Sequence, residues 1–153
     1  MAVTGFTFQQ ASLGLANGYM QMNGAHTWKI ALSNGAGPVT QATAGIQAAK
    51  LASDYFAIST LSEVPNGSGY TTGGVAVASP TGVVATNVLK FTSATNPSWT
   101  SATFNANQAI LYDSSASTIQ LLCCWDFGGS IPISGGTLTL SINGSGLMTI
   151  TDN

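Results

Sequence analysis

Charge is what this sequence most lacks. Of its 153 residues only three are Lys or Arg and five are Asp or Glu, a charged share of 5% where an average soluble protein has ~25%. Arginine is absent; the lysines are Lys29, Lys50 and Lys90, the acids are Asp54, Glu63, Asp113, Asp126 and Asp152, and His26 is the sole histidine. Three scattered lysines cannot neutralise a run of phosphates, which excludes nucleic acid as the expected partner. The same shortage argues against docking on anionic lipid. No run approaches the ~18 apolar residues of a membrane-spanning helix, so no membrane association is expected. The opening MAVTGFTFQQ has neither a positively charged stretch nor an apolar core, so no secretory signal is expected either. Two cysteines do not make a disulfide framework.

What replaces the charge is Thr, Ser, Asn, Gln, Gly and Ala, while hydrophobic residues still supply 44% of the chain. Disordered chains combine low hydrophobicity with high net charge, and this one has neither. The expectation is therefore one folded domain, 1–153, with a surface of hydroxyls and amides. A net charge of −2 gives little mutual repulsion and favours association. Such a surface suits a subunit held in an assembly.

Alternation and turn residues indicate strands. In His26–Leu32, His26, Trp28, Ile30 and Leu32 fall on one face and Thr27, Lys29 and Ala31 on the other. SNGAGP (33–38) breaks that run. Residues 6–22 carry no clear period. Thr40–Leu51, rich in Ala and Gln, reads as a short helix or a covering loop, and Ser53-Asp54 resembles a helix start. From Tyr70 the chain reads as successive strands: Val75–Ser79, Val83–Ser93, Trp99–Phe104, Ala109–Asp113, Ile119–Phe127, Thr137–Ile142 and Leu147–Thr151. In the fifth of these, Ile119, Leu121, Cys123, Trp125 and Phe127 share a face. Short strands at intervals of roughly ten residues, punctuated by Gly, Pro and Asn, imply a mainly β fold. The expected architecture is an antiparallel β-sandwich, jelly-roll-like or barrel-like, of seven or eight strands. One or two short helices belong to the N-terminal half; 1–69 is mixed and 70–153 strand-rich.

Candidate chemistry is thin. A Ser-His-Asp hydrolase needs a base beside its nucleophile, yet His26 opens a strand and no Ser sits in a G-x-S-x-G elbow. Asp113 and Asp126 would form a carboxylate pair if their strands brought them together; the plainer reading is that each caps a turn. Cys123 and Cys124 are adjacent, which suits neither a C-x-x-C redox motif nor a zinc site. Neighbours in a strand point to opposite faces, so Cys123 is expected in the core and Cys124 on the other face, against another subunit. Asp126-Phe127-Gly128 spells a kinase magnesium motif without the phosphate loop, strand lysine or catalytic aspartate that a kinase needs. GSGYTTGG (67–74) lacks the Lys of a phosphate cradle, so its glycines are expected to serve backbone turns at positive φ. Asn66-Gly67-Ser68 and Asn143-Gly144-Ser145 match a glycosylation pattern that Asn-Gly turns also produce. Trp28, Trp99 and Trp125 would stack on sugars if exposed, and serve as core anchors otherwise. No catalytic, metal or cofactor-binding residue is assigned, and no cofactor is expected.

The order of segments from Tyr70 onward carries a resemblance. GSGYTTGGVAVAS, WTSATFNANQAILYDSS, LLCCWDFGG and TLTLSINGSGLMTITDN resemble a group of small virion structural proteins of tailed bacteriophages. Those share a GY-T-x-GG turn, a tryptophan strand ending in A-T-F, an aliphatic-Y-D strand, D-F-G-G and a final G-aliphatic strand. The match covers about half of the chain; 1–69 adds the WKIALSN strand and the SEVPNGSGY approach. The resemblance implies a non-enzymatic capsid decoration, or cement, protein that binds the major capsid protein shell of an icosahedral head. It implies a homotrimer on the virion head surface, assembled in the host cytoplasm. The adjacent cysteines and the very low charge depart from the common pattern. The alternative is a tail-fibre or tail-tip module that recognises a host glycan through exposed tryptophans.

Overall fold

The computed structural model describes residues 3–8, 11–18, 20–35, 62–86, 88–115 and 120–151. Its elements run β1 (Thr4–Thr7), α1 (Ala11–Ala16), β2 (Trp28–Ser33), β3 (Val75–Ala76), β4 (Thr81–Ala85), β5 (Val88–Thr92), β6 (Ser98–Asp113), β7 (Gln120–Thr139) and β8 (Met148–Thr151). The fold is a mainly β sandwich of two antiparallel sheets, ordered β1-β7-β6-β2-β3 and β4-β5-β8. Short helix α1 packs against β7. The expected helical stretches at 40–51 and 53–54 lie outside the described residues.

The spine is the pairing of β6, 16 residues long, with β7, 20 residues long. The sequence predicts four shorter strands here, and the difference lies in the bulges. Asp126 pairs with Gln108 and Ile131 with Ala106, so the four residues Phe127–Ser130 stand opposite Asn107 alone. D-F-G-G is thus a wide β-bulge, with Gly128 at φ 73° and Gly129 at φ 150°. Ser101 and Gly135, both at positive φ, mark two further slips, and Leu122 is left between the Leu111–Cys123 and Tyr112–Leu121 pairs. Each bulge resets the period-two alternation and sharpens the local twist. The strand continues where its pattern breaks.

The Leu122 bulge also corrects the reading of one buried face over Ile119–Phe127. Leu121, Leu122, Cys123 and Cys124 are all buried, because the inserted residue shifts the phase and α1 covers the other side. Ile119 lies outside the described residues. Two further corrections follow from turns. Val83–Ser93 is not one strand but the hairpin β4–β5, in which Thr86 takes φ 50° without any Gly or Pro to announce it. Strand β3 keeps only Val75 and Ala76 in the ladder, and β7 ends at Thr139, short of the expected Ile142.

The two sheets meet through aromatic contact. Trp28 of β2 and Phe91 of β5 are both fully buried and pack edge to face, with ring centroids 4.9 Å apart. Such a pair adds ~0.5–1.5 kcal/mol to the area it buries. The indole N–H of Trp28 donates to the carbonyl of Gln21 at 3.0 Å, so its burial leaves no unpaired donor. Trp28, Ile30 and Leu32 form the buried face expected of β2; Ala31, expected opposite, is buried as well, since β2 lies inside its sheet.

The glycines of 67–74 behave as expected: Gly67, Gly69, Gly73 and Gly74 all have positive φ. Gly74 is the most constrained, because a Cβ there would sit 1.9 Å from the carbonyl oxygen of Ile30. Gly74→Ala is therefore expected to lower stability by about 2–4 kcal/mol, by backbone strain and displacement of β2. Gly144→Ala, at a site with no atom within 4 Å of the added carbon, is expected to change it by under about 0.5 kcal/mol. Urea midpoints of the two variants check both.

Candidate functional site

The described carboxylates are engaged with the backbone. Asp113 is buried at the end of β6; its Oδ1 accepts from the N–H of Ser115 at 2.9 Å, and its Oδ2 accepts from Nδ1 of His26. The sequence did not pair these two, because the β2–β6 register that sets Trp28 opposite Asp113 leaves no local mark. Asp and His here are two parts of a hydrolytic triad, but the neighbouring hydroxyls serve Thr27: Ser115 Oγ accepts from its N–H and Ser114 Oγ donates to its carbonyl. Asp126 Oδ1 accepts from the N–H of Gly128 at 2.8 Å. Asp113 thus caps the turn that follows β6, as the plainer reading holds, whereas Asp126 braces the bulge inside β7 rather than a turn. They do not form a carboxylate pair, since Asp126 lies opposite Gln108 and Asp113 opposite Gln120.

Glu63 organises a third cluster. Its Oε1 accepts from the Tyr70 hydroxyl at 2.7 Å and from the N–H of Gly73 at 2.5 Å. The Tyr70 oxygen in turn accepts from the N–H of Leu32, and the Tyr112 hydroxyl donates to the carbonyl of Gly73. Burial pushes the Tyr70 phenol well above its ordinary value; the Leu32 N–H offsets part of this and Glu63 adds to it. Burial, with Glu63 nearby, pushes Tyr112 up to about 12. This network fastens the Gly-rich segment to β2 and β6. Asn66 and Asn143 act likewise as turn residues, accepting from the N–H groups of Thr72 and Ser145.

The cysteines need a correction. Cys124 is fully buried within this chain rather than presented to another subunit, because β1 pairs along it through Phe6 and the fold covers both faces. Cys123 is buried as expected. Burial keeps both thiols protonated: it drives Cys123 far up, and with Asp126 nearby it pushes Cys124 up to about 12. Among the described residues no group of three or more His, Cys, Asp or Glu side chains could hold a metal ion. No described helix is long and apolar enough to cross a membrane.

The remaining candidate is a groove of about 460 Å³ at the open flank of the sandwich. Trp99, Trp125, Phe127, Ile131, Leu138 and Ile142 supply much of its apolar wall, and Val3 and Gly5 of the β1 side close one end. The D-F-G-G bulge makes this wall, since it re-aims the strand between Phe127 and Ile131. No ionisable side chain is among the described lining residues. Beside it lies a shallower hollow of about 500 Å³ bordered by Thr92, Ser93, Thr95, Asn96 and Asn143. The arrangement can bury an uncharged apolar segment and offer hydroxyl and amide partners at its rim. Of the three tryptophans, Trp28 and Trp99 are buried core residues and only Trp125 is partly exposed. No local pattern marks this groove, because its lining spans β1, β6, β7 and the approach to β8. No protein-family model, curated protein or solved structure matches the chain.

The buried thiols set a pH dependence. In the unfolded chain Cys124 loses its proton near its ordinary 9, whereas in the fold it holds it to about 12. Above pH ~9 the unfolded state therefore binds fewer protons, and stability, complete below that pH, falls as pH rises towards 12. Urea midpoints measured from pH 7 to 10.5 are expected to decline, and the Cys123→Ala/Cys124→Ala variant to decline less. At pH 8 a thiol reagent is expected to leave the native protein unmodified and to label both cysteines in urea.

Proposed function

We propose that this chain is a structural component of a tailed-phage virion: a decoration protein that binds and stabilises the capsid shell and carries no catalytic activity. The observation that carries this reading is the uncharged groove of about 460 Å³, set in a molecule whose described carboxylates are spent on its own turns and loops. Contact through such a surface draws on apolar burial and shape rather than on ion pairs. The order of motifs from Tyr70 onward, which resembles small phage virion proteins, supplies the partner. It also suggests a homotrimer.

The glycan-binding alternative has one observation in its favour. Trp125 lines the groove next to a hollow of hydroxyls and amides, a combination that accepts a sugar ring. Trp28 is lost to the core and Trp99, although it lines the groove, is 2% exposed, so Trp125 must serve as the main platform.

Shell binding by this mechanism is expected to change less than about three-fold between low and moderate salt, because few charges exist to be screened. A co-sedimentation titration on purified heads that lack the protein measures this; a collapse of binding over that range overturns the mechanism. Cryo-electron microscopy of the particle gives the copy number. Hundreds of copies over the head support the decoration reading, and a few copies at the tail replace it with glycan recognition.

A further inference from the structure

Among the described residues, strand β4 forms one outer edge of the small sheet. Natural proteins blunt such edges with charge, proline, bulges or cover, because unpaired N–H and C=O groups recruit other strands. This edge reads Thr-Gly-Val-Val-Ala, with no charge and no proline inside it. Val83 and Val84 are 47% and 72% exposed. As neighbours in a strand they point to opposite faces, so β4 is apolar on both sides of its free edge.

The register shows which backbone groups face outward. The carbonyl of Phe91 accepts from the N–H of Leu147 at 2.7 Å, on the β8 side of β5. Phe91 therefore turns away from β4, and its partner Gly82 turns its own N–H and C=O to the open edge. By the period of two, Val84 does the same.

We infer that β4 is a self-pairing edge: two copies of this chain join antiparallel, β4 against β4, across a two-fold axis at Val83. Gly82 then lies opposite the second copy's Val84, and Val84 opposite its Gly82. Each of these pairs exchanges two N–H···O bonds, so four bonds close the contact. On one face the two Val83 side chains meet as a non-hydrogen-bonded pair, the closer of the two cross-strand geometries. On the other face each Val84 sits beside a residue without a side chain. There Met22 packs over Gly82, whose missing Cβ would lie 2.8 Å from the Met22 carbonyl oxygen, and provides an apolar neighbour. The contact is the same patch on both copies, as a closed two-fold interface requires.

Charge complementarity is met by absence. Among the described residues of the small sheet the one ionisable group is Lys90, opposite Val83 on β5, and its ammonium donates to the carbonyl of Gly144 at 3.4 Å. In the pair the two Lys90 residues stand three strand spacings apart, about 14 Å, beyond the ~8–10 Å over which exposed charges act at moderate salt. A three-fold arrangement has to use a different surface. The inference does not rest on the virion reading, since it concerns only the protein with itself.

Sedimentation equilibrium over a wide concentration range tests it, with Val84→Lys as the edge-blocking variant. The wild type is expected to form dimers. Val84→Lys is expected to weaken association at least ten-fold, with an unchanged urea midpoint at concentrations where the wild type is monomeric, because the side chain it replaces is exposed. In parallel, Val83→Cys is expected to give a disulfide-linked dimer under oxidised glutathione, whereas Gly144→Cys stays monomeric under the same conditions. A wild type that remains monomeric throughout, association that Val84→Lys leaves intact, or Val83→Cys that links no better than Gly144→Cys, each overturns the proposal.

Discussion

The pairing of β6 with β7 is the constraint on which the rest of the molecule depends. It supplies the partner for β1 on one side and for β2 on the other, and through β2 it places Trp28 against Phe91 of the second sheet. Two strands this long would twist out of contact with a small second sheet if they were regular. The slips at Ser101, Leu122, Phe127–Ser130 and Gly135 break them into segments that turn separately. The wall of the groove is the product of the largest slip. Fold and candidate site therefore share one cause.

The scarcity of charge has a structural counterpart. Burying a carboxylate costs several kcal/mol unless its oxygens are hydrogen-bonded and its charge is paired. Asp113, buried against His26 and the Ser115 N–H, has both oxygens hydrogen-bonded. Glu63 gathers a phenol and a backbone N–H at one oxygen. The described carboxylates act as local fasteners for loops, bulges and strand ends.

Composition and alternation made the fold class legible, and they located β2 through His26–Leu32 and the C-terminal half as strands. They misplaced boundaries wherever a bulge or a positive φ fell on a residue that carries no turn signature. Thr86 and Ser101 are such residues; the strand expected to stop at Phe127 runs on through Gly128 and Gly129 to Thr139. The capping role of Asp113 was legible because it is local, an aspartate bonding the N–H two residues on. The His26–Asp113 contact and the groove were not, because both depend on a register between segments far apart in sequence. Cys124 was misjudged for the same reason as β7: a single inserted Leu122 changes which faces are covered.

The edge strand β1 has a consequence for how the molecule is made. Thr4 pairs with Asp126 and Gly5 with Trp125, so β1 finds its place only after the distant β7 has been synthesised. Closing so wide a loop is entropically costly and slow. Val3 and Gly5 form one end of the groove, which means that this end is completed late in folding. A half-folded chain lacks this part of the groove wall, which takes shape only when the sandwich is whole.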